Sequence, residues 1–375
     1  MVRFVITFLL YSLPVIAIFA FPLSVYVQGR EFTTLSSVIE AQQGSPDILF
    51  SLAYSSVNKT YKKMLLQERE AEIVALGSSR VGQFRNQFFL APEKFANASN
   101  AAVDIQEMTD FVRNLDPDSS VRLLIVGFDQ RHFDPHDHLP SEVEHVTLFE
   151  RVKNILSGQW KKVYVDYMHH KFTLTQLSRA QAESADVGVL ALINKNGFLP
   201  DGSYYEGKII GDAARLEVLS AAIVEERSKL ERVQRQFQYQ GPASEESREK
   251  LRTFLEVCRD RHIDVIAILP PYAPALYPQR ATDADAPGFA GDELSRSLAD
   301  VFAEFNVQLF DYSNARTVGI QDSEFADILH GTDKAYLRIL IDMAKRSTIV
   351  DKVVDQAALE KTLKNTEGDF VLTLK

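Results

Sequence analysis

The chain has 375 residues, 46% hydrophobic and 25% charged, a globular composition that excludes a disordered, collagen-like or low-complexity protein. Its 41 Lys and Arg against 51 Asp and Glu leave a net charge of −10, so the chain as a whole repels nucleic acid. The single cysteine, Cys258, excludes an intramolecular disulfide, a Cys-rich zinc site and an iron–sulfur cluster.

Residues 4–27 carry no charge. At 1.5 Å per residue, a helix of this length crosses a hydrocarbon core of about 30 Å. Pro14 and Pro22 distort such a helix without forbidding it. A cleaved signal peptide has an apolar region of about 7–15 residues followed by small residues; this run is longer and ends Pro22-Leu23-Ser24-Val25-Tyr26-Val27. The reading is therefore an uncleaved single-span anchor. Arg3 and the amino group outweigh Arg30, which Glu31 and Glu40 follow. This places the N-terminus inside the plasma (inner) membrane and the rest of the chain in the extracytoplasmic, periplasmic space.

Residues 28–70 are irregular and amphipathic and predict a juxtamembrane connector. From residue 71 short apolar runs alternate with helical patterns. The runs are Ile73–Leu76, Leu123–Val126, Val265–Leu269 and Val307–Phe310, and the helices are 105–115, 213–238, 245–261 and 293–305. This alternation predicts an α/β domain over 71–345 with a parallel sheet buried on both faces. Residues 141–212 break it and predict an insertion or lid. The last segment, 346–375, predicts a helix over 351–364 and a tail.

The first run ends in Gly77-Ser78-Ser79-Arg80, at the carboxyl end of a strand, where open α/β sheets bind ligands. A serine on such a turn exposes its hydroxyl near backbone N–H groups, but it needs a general base to become a nucleophile. Asp327-Ile328-Leu329-His330 offers that base, with a carboxylate three residues before the imidazole to fix its tautomer. The bland alternatives are a serine that only caps a helix and a histidine bonded to its neighbours.

This Gly-x-Ser block after the first strand and Asp-x-x-His block near the C-terminus resemble the SGNH (GDSL-like) hydrolase superfamily. The resemblance implies a three-layer, flavodoxin-like parallel sheet, with Ser79 as nucleophile, Asp327 as orienter and His330 as base. It covers roughly Glu72 to Leu340 in outline. At the second block, Asn97, Asn100 and Ala101 stand where the family places a glycine. At the third, Asp129 in Val126-Gly127-Phe128-Asp129 replaces an asparagine. An ionised carboxylate is an acceptor only, which shifts the expected oxyanion donors to the Ser79 N–H and the Asn100 region.

The anchor and the block resemble the membrane-tethered members of cell-envelope acylation, of the D-alanyl-lipoteichoic-acid transfer and alginate O-acetylation types. That implies acyl transfer or ester hydrolysis on an envelope or exported polysaccharide, beside a multi-span membrane O-acyltransferase and without metal or organic cofactor. Gly77, Ser78, Arg80, Pro271 and Tyr272 are expected around the substrate, with the Tyr272 ring facing a sugar. Two rivals stand beside this reading. One is an inactive glycan-binding or scaffold subunit, suggested by Asp129 and the missing glycine. The other is a metal-dependent hydrolase using His132, Asp134 and His136.

Overall fold

A computed structural model describes residues 2–134, 143–210, 212, 214–231, 241–277 and 293–374. These fall into two compact units. One comprises residues 59–141, 201–203 and 209–375; the other comprises 1–58, 142–200 and 204–208.

The first unit is built on five parallel strands: β1 (Ile73–Gly77), β2 (Phe95–Ser99), β3 (Leu123–Gly127), β6 (Asp264–Leu269) and β7 (Gln308–Asp311), in the order β2-β1-β3-β6-β7. Strands β4 (Asn196–Phe198) and β5 (Tyr204–Glu206) form a separate antiparallel pair. Side chains alternate across the parallel sheet and feed two cores. Ile73, Ala75, Ile125, Ile266, Ile268 and Phe310 face one way, onto Tyr336, Leu337, Leu340 and Met343 of helix Asp333–Arg346. Val74, Leu76, Leu124, Val126, Ala267 and Leu269 face the other, onto helices Ile105–Arg113, Glu245–Asp260 and Glu293–Glu304. Burial on both faces is why β1, β3 and most of β6 read as unbroken apolar runs.

Three sequence readings change here. The edge strand β2 is absent from the expected set because its middle is polar: Asn97 is buried, and its amide donates to the carbonyls of Val81 (2.9 Å) and Phe84 (3.1 Å). Helix Asp333–Arg346 was likewise unassigned. The helix expected at 351–364 is instead a short turn, Thr348–Asp351, followed by helix Gln356–Asn365. Asp355 sets that start by accepting from the Ala358 N–H at 3.0 Å. Cys258 is the small buried hydrophobe its helical setting suggests, and burial pushes its thiol up to about 12.

The second unit contains helix Val2–Gln28. Its stretch Tyr11–Gln28 is long and apolar enough to cross a membrane, a test that a signal sequence also passes. Residues 28–70 do not form one separate connector. Residues 28–58 join the 142–200 insertion in this unit, whereas helix Asn58–Glu68 packs in the other. The join is polar and buried. Glu31 accepts from the N–H groups of Ala53 (2.9 Å), Val189 (2.9 Å) and Tyr54 (3.4 Å). Arg151 donates to the Glu31 and Thr33 carbonyls at 2.9 and 2.8 Å. Burial raises the Glu31 carboxyl above its ordinary value, against the pull of those N–H donors and of Arg151. Tyr164 and Tyr167, within the segment expected to be an insertion or lid, both pack on Phe21 with ring centroids 5.0 Å apart.

Candidate functional site

The register sets Gly77 level with Ser99 on one side and Gly127 on the other. Three turns therefore leave the sheet side by side. Gly77 has φ +152°, and a Cβ there would lie 2.8 Å from the Gly127 carbonyl oxygen, so the sharp exit from β1 requires glycine. Ser78 is buried, and its hydroxyl accepts from the Arg80 N–H at 3.2 Å. Ser79 begins the next short helical turn, Ser79–Val81, and is exposed. Asn97 reaches across from β2 to fix the carbonyls that end this turn.

Asp327 and His330 sit in a loop closed by a bridge between Phe325 and Gly331 and by the Ala326 N–H donating to the His330 carbonyl at 2.7 Å. Asp327 Oδ1 accepts from the N–H groups of Leu329 (2.8 Å) and His330 (2.9 Å). The same carboxylate holds His330 Nδ1 at 2.7 Å through Oδ2 and 2.9 Å through Oδ1. The other ring nitrogen, Nε2, lies 2.8 Å from Ser79 Oγ, across 251 positions of sequence. Desolvation raises the Asp327 carboxyl, but hydrogen bonds and charge from His330, with the two backbone N–H donors, bring it down to about 2. The carboxylate is thus an anion that orients the imidazole toward the hydroxyl.

The neighbouring residues depart from the sequence expectation. Asn100 takes a glycine-like φ of +62°, which asparagine tolerates. Its N–H donates to the Gly77 carbonyl at 2.8 Å, and that of Ala101 donates to Ala98 at 3.1 Å. Neither backbone donor is available for an oxyanion. Ala101 instead helps line a cavity of about 510 Å³ that also contacts Lys59, Leu66, Glu107 and Phe111 and does not include Ser79 or His330. The Asn100 side chain, half-buried one residue past the strand end, keeps its amide.

Arg80, Asp129, Pro271 and Tyr272 are all buried. Arg80 donates to Gln130 Oε1 (2.7 Å) and to the carbonyls of Pro270 (2.8 Å) and Pro271 (2.7 Å). It also lies 4.6 Å from the Tyr272 ring centroid and 3.7 Å from Asp129. Arg80 and Tyr272 therefore tie strand ends together rather than meeting a substrate; the tyrosine ring is covered, not offered to a sugar. Burial raises the Asp129 carboxyl, but Arg80, His132 and Arg131 together hold it below its ordinary value. It is an anion and an acceptor. Sequence reasoning missed Gln130, whose Nε2 donates to Pro270 (2.9 Å) and Ser313 Oγ (2.8 Å). Its place directly after Asp129, at a strand end, was the available signal.

The His132 Nε2–H donates to the Val103 carbonyl at 2.8 Å. No group of His, Cys, Asp or Glu suited to a metal occurs among the described residues, and His136 lies outside them. The chain matches no family model, no curated protein and no solved structure.

Proposed function

We propose that this protein is a membrane-anchored, SGNH-like serine enzyme that transfers or hydrolyses acyl groups, of the O-acetyl type, on a cell-envelope or exported polysaccharide. The observation that carries the reading is the continuous Ser79–His330–Asp327 chain of contacts at 2.8 and 2.7 Å. His330 takes the Ser79 proton as Oγ attacks the acyl carbonyl, and Asp327 stabilises the imidazolium. His330 then returns that proton to the leaving group, freeing the base to activate water or an acceptor hydroxyl that releases the acyl group. The Ser79 N–H is assigned as one oxyanion donor, because the first N–H of a helical turn has no intrahelical acceptor and Ser78 caps Arg80 instead. The Asn100 side-chain amide is assigned as the second. The order β2-β1-β3-β6-β7 supports a flavodoxin-like layering, and helix Val2–Gln28 supports the anchor; the placement of the domain outside the cytoplasm rests on Arg3 ahead of the apolar run.

Asp129 favours a second reading, an inactive glycan-binding or scaffold subunit of an acylation complex with a multi-span acyltransferase. A fluorophosphonate probe separates the two. Labelling of the full chain that is lost in Ser79→Ala and kept in Ser78→Ala supports the enzyme; absence of labelling in the parent chain supports the scaffold.

A further inference from the structure

The segment from Leu148 to Lys171 is a kinked pair of helices, Leu148–Asn154 and Trp160–Met168, joined through Gly158. Its large apolar side chains point to solvent: Phe149 is 77% exposed, Met168 64%, Leu148 58% and Leu156 54%. Val165 and Met168, three apart, share a face of helix Trp160–Met168, while Phe149 lies in the first helix and Leu156 in the π-helical segment Ile155–Gln159 that joins the two. Folding does not cover these faces. They belong to one unit with helix Val2–Gln28 and dock beside it. Phe19 meets Trp160 at 5.6 Å, Phe21 meets Tyr164 and Tyr167 at 5.0 Å, and the Tyr164 hydroxyl donates to the Ile18 carbonyl at 2.9 Å.

The depth of this contact identifies the occupant. Val25 and Tyr26 are buried in protein, so the part of the N-terminal helix left for lipid lies before them. From Val2 to Phe19 the helix rises about 26 Å, close to a hydrocarbon thickness of about 30 Å. Trp160, Tyr164 and Tyr167 therefore stand at the level where a span leaves the hydrocarbon, the depth at which tryptophan and tyrosine concentrate. The charge agrees. Residues 148–171 hold five Lys and Arg against two Asp and Glu in a chain of net charge −10, and Lys153 and Lys161 are exposed beside the apolar residues.

We infer that Leu148–Met168 is an interfacial helix pair that lies in the bilayer surface, with Phe149, Leu156, Val165 and Met168 in the acyl boundary and lysines at the headgroups. The inference rests on the N-terminal helix being an uncleaved anchor. It gives the insertion a role: it fixes the height and tilt of its own unit on the membrane, which a single span alone leaves free.

The test uses the full chain in protein-free vesicles of phosphatidylcholine and phosphatidylglycerol. Phe149→Cys and Met168→Cys are labelled with a polarity-sensitive fluorophore, with Glu249→Cys, on an exposed face of helix Glu245–Asp260, as reference. Buried Cys258 stays unlabelled. Blue-shifted emission at positions 149 and 168 and water-like emission at 249 are expected. The only tryptophan, Trp160, is expected to be quenched more by bromines near the headgroup end of the acyl chains than by bromines near their tips. Water-like emission at 149 and 168 in a chain of full intact mass overturns the interfacial face alone. A shift seen only in native membranes assigns the face to a protein partner and overturns it too. An intact mass lacking the N-terminal helix overturns the anchor and this inference with it.

Discussion

Replacing Asp327 with asparagine tests the proposed chemistry with almost no change in shape. Oδ1 accepts both the Leu329 and the His330 N–H, so the asparagine carbonyl must stay there and the new amide must take the place of Oδ2. That amide then faces His330 Nδ1 at the 2.7 Å contact. Two donors cannot share one hydrogen bond, so the ring must carry its proton on Nε2 and point it at Ser79. A histidine in that tautomer cannot accept the serine proton. General-base assistance accounts for about 10²–10⁴-fold in rate, which is about 3–5 kcal/mol. The expected outcome for Asp327→Asn is a fall in kcat/KM of that size for p-nitrophenyl acetate hydrolysis, with the melting transition close to that of the parent. In the parent, the contacts from His330 and the two backbone N–H groups hold the Asp327 carboxyl down at about 2, so it stays ionised and its own protonation leaves the rate unchanged across the neutral range. A variant within about threefold of the parent in kcat/KM would refute the tautomer argument.

Three further outcomes follow from the fold. Asp129→Asn leaves the Arg80 charge buried without its counter-ion and is expected to cost about 3 kcal/mol in denaturant unfolding at neutral pH. Because the folded value of Asp129 lies below its unfolded value, this contribution is full above the ordinary carboxylate range and lost as pH falls through the folded value; parent and variant stabilities should converge in acid. Gly127→Ala puts a methyl 2.2 Å from Val81 Cγ1 and should destabilise by about 1–3 kcal/mol. Adding Val81→Ala should recover part of that loss, seen as favourable coupling in a double-mutant cycle. Glu31→Leu orphans the N–H groups of Ala53, Tyr54 and Val189, at about 1–3 kcal/mol each, and hydrogen exchange at those amides should accelerate while β1 amides stay protected.

What could be read in advance followed the physics of burial. Strands β1 and β3, and β6 after Asp264, are legible because both their faces are covered, leaving apolar residues to read; β7 is legible from Leu309 and Phe310 alone. Strand β2 is hidden by Asn97, a side chain that serves the backbone of a neighbouring turn. The meeting of Ser79, Asp327 and His330 was legible because the proposed roles of nucleophile, orienter and base call for those residue types in loops beside strand ends. The inward setting of Arg80 and Tyr272 was not legible because sequence does not tell whether a polar group at a strand end points to solvent or inward. Arg80 turns inward because Gln130 and two carbonyls are waiting there. The pairing of residues 28–58 with 142–200 was illegible for a simpler reason: Glu31 and Arg151 are 120 positions apart, and no periodicity links them.

The same inward turn explains how the site divides its labour. In the order β2-β1-β3-β6-β7, the chain goes from β1 to one neighbour and then crosses back to the other, which opens a crevice between the ends of β1 and β3. Ser79 and Asp129 both leave the sheet there. A lone carboxylate beside a nucleophile would oppose the negative charge that develops on an attacked carbonyl. Arg80 prevents that by lying 3.7 Å from Asp129, and burial strengthens the pairing because little water screens it. The crevice floor is thus neutralised and held by hydrogen bonds, while Ser79 and His330, which exchange a proton in the proposed reaction, sit on short turns above it. Removing Arg80 should therefore harm the site through the exposed negative charge of Asp129 as well as through lost packing, and Arg80→Met combined with Asp129→Asn should label better with fluorophosphonate than Arg80→Met alone.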